Sequence, residues 1–427
     1  MVGNTDNSFS NFSWLFNCFC RNIRLRAAYL YSILMLNIES KVIIFAVVLM
    51  AVYFITATPV MNDDGFHYEG FVESLARGKL DFKSFYGFQG LSFFSVPIFW
   101  LTSSIPSWQV GSHNSIIITS AVFSLFSVLL AYLVGREFYS SRRAGFYFLI
   151  LFLLTPYPYT TMMRGFQEAA LLFFILLIIY TSIRKKAWTP VAWAVGGIVK
   201  PFALTLFPLF IQDFLPKQRL NLYTLRFNLN TRIVWVVVAL VVGTAYLGAN
   251  YYQTGHLVNN AAINSYQGNF NSGSPPPLVE SFVPSAKGFL RVGANLLLPF
   301  RKIMISPLVV ILGALVLWYN RGLKLRKEIM IAIALNFLLV GSLTFSFSKY
   351  LLPMTTLFAL ASVRYLLKYR WLMWLVFVDS FFVFFFVWDY FGYNYWSNIY
   401  VYLVPFWVAI TLFFLSERIN LIKDVSK

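Results

Sequence analysis

The chain has 427 residues, of which 59% are hydrophobic and only 12% are charged, whereas soluble globular domains carry about 25% charged residues. This composition excludes an ordinary soluble enzyme. The formal net charge of +18 would suit a nucleic-acid-binding protein, but the basic residues cluster in short segments between long apolar runs, as they do in membrane proteins. We therefore predict an integral membrane protein, with the lipid bilayer as a partner and no nucleic acid.

The first 41 residues are predicted to be a cytoplasmic tail. Beyond them, apolar stretches recur that match the length of a membrane-spanning helix, about 17–25 residues. The stretches do not alternate in polarity as barrel strands do, so the predicted fold class is all-α. The spans are predicted at 42–60, 114–134, 144–159, 167–183, 189–213, 232–250, 303–319, 329–347, 350–366, 371–388 and 398–416.

The stretch 189–213 has the length of one span, but Lys200 and Pro201 lie at its middle. Proline removes a backbone donor and clashes with the preceding turn of a helix. We therefore predict two short segments that fold back at Lys200, which keeps the basic loop after them on the cytoplasmic side. With this hairpin, the prediction is a polytopic bundle of about 11–13 transmembrane helices.

Most of the 34 basic residues then lie in cytoplasmic loops, which places both termini in the cytoplasm. The predicted transmembrane domain covers 42–416, and a cytoplasmic tail covers 417–427. Two long extracytoplasmic loops are predicted, 61–113 and 251–302. Within the first, the apolar stretch 87–105 contains glycine and proline and is expected not to cross the membrane fully. Long loops are often functional, so the site is expected on this face.

Two adjacent aspartates, Asp63 and Asp64, follow the first predicted span directly. A short amphipathic helix is predicted over 65–77, with Gly78 ending it. One aspartate is enough to cap a helix, so the second favours a catalytic or ligand-binding role for the pair. Capping alone is the alternative.

Several other charged residues are predicted at the same outer face. Glu168 opens a span, where exposure to lipid would be costly, so it is expected to face a cavity; a pair with Arg164 is the structural alternative. Lys200, Lys349 and Arg301 are expected to converge there. Converging cations suit a phosphate group, and snorkelling to lipid headgroups is the alternative for each cation.

These residues, in this order, resemble the GT-C superfamily of glycosyltransferases. The resemblance is to the branch that contains the protein-mannosyltransferase and aminoarabinose-transferase types, which take a sugar from a lipid phosphate. It includes an acidic pair that leads into a short helix and an element similar to the family's (Arg)-Tyr-Leu-x-Pro, here with lysine first. The segments that carry the resemblance are 63–78, 135–168, 197–201, 251–307 and 349–353.

The resemblance implies an enzyme of the cell membrane that acts on a cell-envelope glycan, lipid or protein acceptor. It would use a polyprenyl-phosphate-linked sugar donor on the extracytoplasmic side; we hypothesise a single displacement with inversion. Asp63 is the implied base, with Asp64 second. Lysine at 349 could contact a phosphate but lacks the bidentate fork of arginine. Substrate-binding residues are expected at Tyr68, Arg164, Glu168, Lys200, Arg301, Lys349 and Tyr350.

Two other functions stay open. The hairpin at Lys200 would also suit a transporter or flippase for an anionic or lipid-linked substrate. A polymerase or ligase for lipid-linked glycans would use a similar cationic cavity. No residue pattern predicts a resident metal ion, and a divalent cation at the aspartate pair is left open.

Overall fold

The computed structural model describes residues 38–56, 63–82, 89–104, 111–155, 167–211, 222–255, 285–297, 305–343, 348–395 and 400–425. The chain divides into two units, Met1–Val48 and Leu49–Lys427. In the first unit, the described residues form the beginning of helix α1, Ile38–Thr56. The second unit contains the end of α1 and every other element.

All regular secondary structure in the described ranges is helical, which confirms the predicted all-α fold class. Two short 3-10 helices lie at Pro201–Leu206 and Ser348–Leu351. The α-helices after α1 are α2 (Asp63–Ala76), α3 (Gly90–Ser103), α4 (Ser112–Tyr139), α5 (Arg142–Leu153), α6 (Gln167–Ile183), α7 (Thr189–Val199), α8 (Pro208–Ile211), α9 (Leu222–Thr254), α10 (Ala286–Leu297), α11 (Pro307–Tyr319), α12 (Arg326–Gly341), α13 (Leu352–Lys368), α14 (Leu372–Tyr395) and α15 (Tyr400–Val425).

Helix α5 lies at the centre of the second unit. Its residues from Ala144 to Leu153 are buried on every side of the helix, as expected for an all-apolar helix in a core. It packs against α4, α13 and α15. Gly135 on α4 and Gly145 on α5 let the two helices approach closely. A Cβ atom on Gly135 would lie 2.6 Å from the carbonyl oxygen of Ala144. Small residues at a helix contact are typical of membrane bundles.

The predicted reversal of the chain at Lys200 is confirmed. Lys200 has an extended backbone, with φ −156° and ψ 138°, and it separates α7 from the 3-10 helix. The two arms contact each other, since the indole nitrogen of Trp193 donates to the carbonyl oxygen of Leu204 at 3.0 Å. A Cβ atom on Gly197 would lie 2.5 Å from a methyl carbon of Leu204, so the two arms pack closely here.

The short helix predicted after the first span is also confirmed as α2. It ends as expected, because Gly78 has a φ of +76° in the left-handed region that glycine adopts without strain. Arg77 lies 3.7 Å from the carboxylate of Glu73, one turn earlier. One face of α2 is buried through Tyr68 and Phe71.

Helix length supports only part of the predicted membrane topology. Among the described residues, two helical stretches are long and apolar enough to cross a membrane, Ser112–Tyr139 and Ile233–Thr254. Others are apolar but have only 10–17 residues, and α3 is one of these. The predicted number of 11–13 spans is therefore not confirmed. One predicted span is also longer than its helix: the span predicted at 144–159 corresponds to a helix that ends at Leu153.

Candidate functional site

The aspartate pair lies at the start of α2. Asp63 and Asp64 are its first two residues, where the positive end of the helix dipole favours carboxylates. This position fits a cap as well as a catalytic role. The side chains of both aspartates and of Lys349, and the whole of Arg164 and Arg301, lie outside the part of the chain that the structure describes. Their predicted roles stay predictions.

Glu168 and Lys200 form a buried ion pair, in which the Lys200 ammonium donates to Glu168 Oε1. Glu168 lies in the first turn of α6 and its side chain is 0% exposed; the Lys200 side chain, at the break after α7, is 12% exposed. An isolated charge at such depth would be strongly destabilising, so each partner makes burial of the other tolerable.

Tyr350 lies beside this pair. The Lys200 ammonium is 5.7 Å from the centroid of the Tyr350 ring, within the range of a cation–π interaction. The ring stacks on Phe202, with centroids 4.4 Å apart and planes at 18°. The Tyr350 carbonyl accepts a hydrogen bond from the amide of buried Asn336 at 3.4 Å. The structure thus brings together three of the predicted site residues: Glu168, Lys200 and Tyr350.

A close contact between α3 and the end of α7 determines where Lys200 lies. A Cβ atom on Gly90 would be 2.5 Å from the Cα atom of Val199, the residue before Lys200. Any side chain larger than hydrogen would therefore push the two backbones apart. Helix α3 and the helix break after α7 are packed together at this point.

A second set of contacts connects α3 to the helix that carries the aspartates. The Ser92 hydroxyl lies 3.3 Å from the carbonyl oxygen of Tyr68 and 3.1 Å from the side-chain oxygen of Gln89. The backbone N–H of Gln89 donates to the hydroxyl of Tyr246 at 3.1 Å. Tyr68 itself is buried. Helix α2, which begins at Asp63, is thus connected through Tyr68 and Ser92 to α3, the helix that packs against Val199.

Helix α9 holds the same region from the other side. Phe71, Phe82 and Tyr246 form a buried aromatic cluster. The side-chain amide of Gln253 donates to the Leu80 carbonyl at 2.5 Å and accepts from the Phe82 N–H at 2.8 Å. These two hydrogen bonds satisfy the Leu80 carbonyl and the Phe82 N–H, much as a neighbouring strand would. The segment after α2 is fixed in place by side chains of α9.

The sequence did not predict the pairing of Glu168 with Lys200, and the alternative pair of Glu168 with Arg164 lies outside the described residues. A usable signal was present, because both residues lie in apolar surroundings and carry opposite charges. Gly90 and Phe202 were not singled out. Their importance depends on tertiary contacts that no local pattern predicts.

Asp379, to which the sequence assigned no role, caps a helix. Its Oδ2 atom accepts from the Leu308 N–H at 3.1 Å and from the Ser306 hydroxyl, at the N-terminus of α11. Ser306 in turn accepts from the Val309 N–H. The carboxylate thus satisfies backbone donors that the helix leaves unpaired. This acid has a structural role.

The sequence leaves open a divalent cation at the aspartate pair. In the ranges that the structure describes, no group of three or more His, Cys, Asp or Glu side chains could hold a metal ion. The carboxylates of Asp63 and Asp64 are not among the described side chains. A divalent cation there, with carboxylate oxygens as ligands, stays a proposal.

Comparison with solved structures identifies the fold. ArnT from Cupriavidus metallidurans bound to undecaprenyl phosphate matches with a TM-score of 0.56 and 15% identity, covering 89% of this chain and 76% of that chain. Its apo state matches with a TM-score of 0.53 and 13% identity, covering 91% and 76%. This chain has the GT-C fold. The all-helical GT-C fold is therefore confirmed, whereas the predicted number of membrane spans is not.

The other comparisons add little to the GT-C fold. The apo oligosaccharyltransferase from Archaeoglobus fulgidus matches with a TM-score of 0.43 and 12% identity, covering 88% of this chain and 56% of that chain, which is too low to support a conclusion. No family model matches the sequence, and a comparison with curated protein sequences gives no match. At these identities the likeness shows the GT-C fold and leaves the reaction to be tested.

Proposed function

We propose that this chain is a multispan membrane glycosyltransferase. It transfers a sugar from a polyprenyl-phosphate-linked donor to a lipid, glycan or protein acceptor on the extracytoplasmic face. The observation that carries the proposal is the buried Lys200, held by Glu168 at a helix break within a GT-C fold. The similar ArnT structure contains undecaprenyl phosphate, a lipid phosphate of the class that this lysine would bind.

The distribution of basic residues supports this sidedness. Arg143 lies at the start of α5, Arg184 follows the end of α6 and Arg370 follows the end of α13. Glu168 and Tyr350 lie at the opposite ends of α6 and α13. Positive residues favour the cytoplasmic side of a membrane. The Glu168–Lys200 pair is then at the extracytoplasmic end of the bundle.

In the proposed reaction Asp63 accepts the proton of an acceptor hydroxyl, with Asp64 as the second candidate. The hydroxyl oxygen attacks the anomeric carbon of the sugar from the side opposite the phosphate. The bond between that carbon and the phosphate oxygen breaks, and its electron pair stays on the phosphate. One displacement of this kind inverts the anomeric configuration. A positioned base is needed because a neutral hydroxyl is a poor nucleophile.

Cations are needed where the negative charge develops. Lys200 would contact the phosphate as it becomes the leaving group, and Lys349 and Arg301 would add further positive charge. Tyr350 supports this arrangement, because its ring packs against the Lys200 ammonium. The polyprenyl chain would stay in the bilayer while its phosphate occupies the site.

The test uses the purified full-length protein in lipid nanodiscs with a radiolabelled polyprenyl-phosphate sugar and an envelope extract as acceptor. Asp63→Asn is expected to lower transfer by about a hundredfold or more, the effect of removing a general base. Glu73→Gln is the matched control, because it removes an acid from the same helix, and it should retain transfer. Full transfer by a double Asp63→Asn, Asp64→Asn protein would contradict the proposal.

A transporter for lipid-linked substrates is the second candidate. The break between α7 and the 3-10 helix favours it, since transporters often bind substrates at discontinuous helices. The same nanodisc protein, reconstituted in vesicles, separates the two. A transporter moves the labelled donor across the bilayer without forming a glycosylated product, and Asp63→Asn leaves that movement intact.

A further inference from the structure

Helices α11 and α12 are short for membrane spans. Helix α11 has 13 residues and α12 has 16, which gives lengths of about 20 and 24 Å at 1.5 Å per residue. Helix α11 begins where Ser306 and Asp379 accept from its first backbone N–H groups, and α12 ends at Gly341. Because the hydrocarbon of a bilayer is about 30 Å thick, both helices stop about 5–10 Å short of crossing it.

The cytoplasmic end of this helix pair is marked by its own side chains. Trp318 and Tyr319, at the end of α11, are exposed, as aromatic residues at membrane interfaces are. The turn and the start of α12 carry four basic residues, Arg321, Lys324, Arg326 and Lys327. The missing length is therefore on the extracytoplasmic side. On that side the amide of Asn336 in α12 donates to the carbonyl of Tyr350, whose ring lies beside Lys200.

Helix α10 packs across the outer end of α12. A Cβ atom on Gly288 would lie 2.1 Å from the carbonyl oxygen of Gly341, the last residue of α12. The Phe289 ring also stacks on Phe337, with centroids 5.5 Å apart. In addition, α10 packs against the 3-10 helix that carries Tyr350. Helix α10 therefore lies at the depth where α12 ends, next to the candidate site.

The opposite face of α10 is apolar and exposed. Val292 and Leu296 are buried, whereas Leu290 and Leu297 are 74% and 50% exposed. The two exposed leucines are seven residues apart and so lie on one face of the helix. Leu338, near the outer end of α12, is exposed as well. Apolar side chains at this depth suit the acyl chains of the outer leaflet better than water.

We propose that α10 lies in the outer leaflet, with Leu290 and Leu297 among the acyl chains, and that it draws the headgroup layer down to the depth of Lys200. The inference rests on the proposed function for its membrane setting and for a lipid phosphate at Lys200. Helices that lie in a membrane interface have an apolar face with basic residues beside it. Lys287, one turn before Leu290, is exposed and supplies a positive charge for a lipid phosphate.

Thinning of the bilayer follows from the lengths of the helices. A bilayer accommodates a span that is too short by thinning beside it. The thinned outer leaflet places its phosphates at the level where α11 and α12 end. A lipid carrier in that leaflet then brings its phosphate to Lys200 while its chain stays in the bilayer.

The experiment measures depth with single cysteines in the full-length protein, after the changes Cys18→Ser and Cys20→Ser. The protein is placed in nanodiscs whose lipids carry a spin label either near the headgroup or at the end of the acyl chain. A fluorophore on Leu290→Cys is expected to be quenched more strongly from the headgroup position. A fluorophore that neither lipid quenches overturns the proposal, whether water or a second copy of the chain surrounds it.

Leu338→Cys and Thr244→Cys form a matched pair for thinning, because both side chains are exposed. Each lies twelve residues, about 18 Å, after a basic residue on the cytoplasmic side, Arg326 in α12 and Arg232 in α9. The apolar stretch of α9 has 22 residues, about 33 Å, and needs no thinning. We expect stronger quenching from the headgroup for α12 and from the chain end for α9. Equal depth at the two positions overturns the proposal.

Bilayer thickness connects this arrangement to ligand binding. In nanodiscs thicker than ordinary membranes, Leu290→Ser should bind polyprenyl phosphate about tenfold more weakly than the wild type, since a thicker bilayer has more to thin. In thinner nanodiscs the two proteins should bind about equally. Leu315→Ser is the matched control, because it removes an exposed leucine from α11, and it should bind like the wild type in both. Equal binding by a folded Leu290→Ser protein in thick nanodiscs overturns the proposal.

The depth measurements separate this inference from the proposed function, because they need no ligand. A wild-type protein that transfers sugar but lacks the expected depths overturns the inference alone. A protein with the expected depths that binds no polyprenyl phosphate overturns the proposed function and, with it, the role of the thinned leaflet at Lys200.

Discussion

The two ends of helix α13 hold carboxylates in very different surroundings. Near its start, Glu168 is fully buried and pairs with Lys200. Just past its end, Glu417 is 20% exposed and contacts Arg143 at 2.5 Å and Arg370 at 3.0 Å. The 17 residues of α13 place these sites about 25 Å apart at 1.5 Å per residue.

In the Glu417 cluster two arginines pair with a single carboxylate, and the cluster connects helices. The Tyr147 hydroxyl also donates to Glu417 at 2.8 Å, so α5, α15 and the turn before α14 are tied together by one carboxylate. The Glu168–Lys200 pair is buried and lies at a helix break. Several bonds to one carboxylate favour stability, whereas a buried charged pair at a helix break is where we propose that a ligand binds. We therefore expect the Glu417 end to serve stability and the Glu168 end to serve ligand binding.

The largest effect is expected from Lys200→Met. It removes a cation that pairs with the buried Glu168 carboxylate, which should cost about 3–5 kcal/mol of stability and abolish binding of polyprenyl phosphate. Thermal unfolding in detergent and a lipid-phosphate binding assay measure the two effects. Adding Glu168→Gln to the same chain should restore most of the stability and none of the binding. Restored binding would show that Lys200 does not hold the phosphate.

Glu417→Gln is the corresponding change at the other end. It removes the counterion of Arg143 and Arg370 and should lower stability by about 2–3 kcal/mol, since the cluster is only partly screened by solvent. Sugar transfer at a temperature where the variant is folded should equal that of the wild type. A loss of transfer in the folded variant would show that the Glu417 cluster does more than stabilise the fold.

Gly90→Ala tests whether the packing on Val199 matters to the Lys200 site. The new methyl group would lie 2.5 Å from a backbone atom, and overpacking of this kind typically costs about 2 kcal/mol. The backbone shift should also weaken lipid-phosphate binding, although Gly90 lies outside the charged pair. Gly78→Ala is a control of similar backbone cost, because its φ is positive and no atom lies within 4 Å of the added methyl group. Equal binding in both variants would argue against the coupling.

The smallest effect is expected from Asp379→Ala. It removes an acceptor for the Leu308 N–H at the start of α11, and loss of a helix cap costs about 1 kcal/mol. Thermal unfolding should register this loss, and transfer should be unaffected. A large loss of transfer would mean that a third acid belongs to the site.

The local features of the fold could be predicted from the sequence. The helix predicted at 167–183 has those bounds in the structure, and the break at Lys200 follows from the proline beside it. The end of α2 at Gly78 and its Glu73–Arg77 contact follow from glycine conformation and helical spacing. Each of these depends on neighbours within one or two turns.

The contacts that build the candidate site could not be predicted in the same way. Glu168 and Lys200 are 32 residues apart, and Ser306 and Asp379 are 73 apart, so both pairs depend on how the helices pack. The apolar span predicted to begin at 232 agrees with the apolar stretch Ile233–Thr254, whereas helix α9 itself begins earlier, at Leu222, because its first turns are polar. The GT-C resemblance came from the order of weak motifs, which is a property of the whole chain.

The close approach that Gly90 allows has a practical consequence for protein engineering. Since a Cβ atom on Gly90 would lie 2.5 Å from the Cα atom of Val199, the surfaces of α3 and α7 are complementary at this contact. A chimera that exchanges 63–103 alone with the matching segment of another protein of this fold would mismatch this surface. Residues 63–103 and 189–211 should therefore be transplanted as a single cassette.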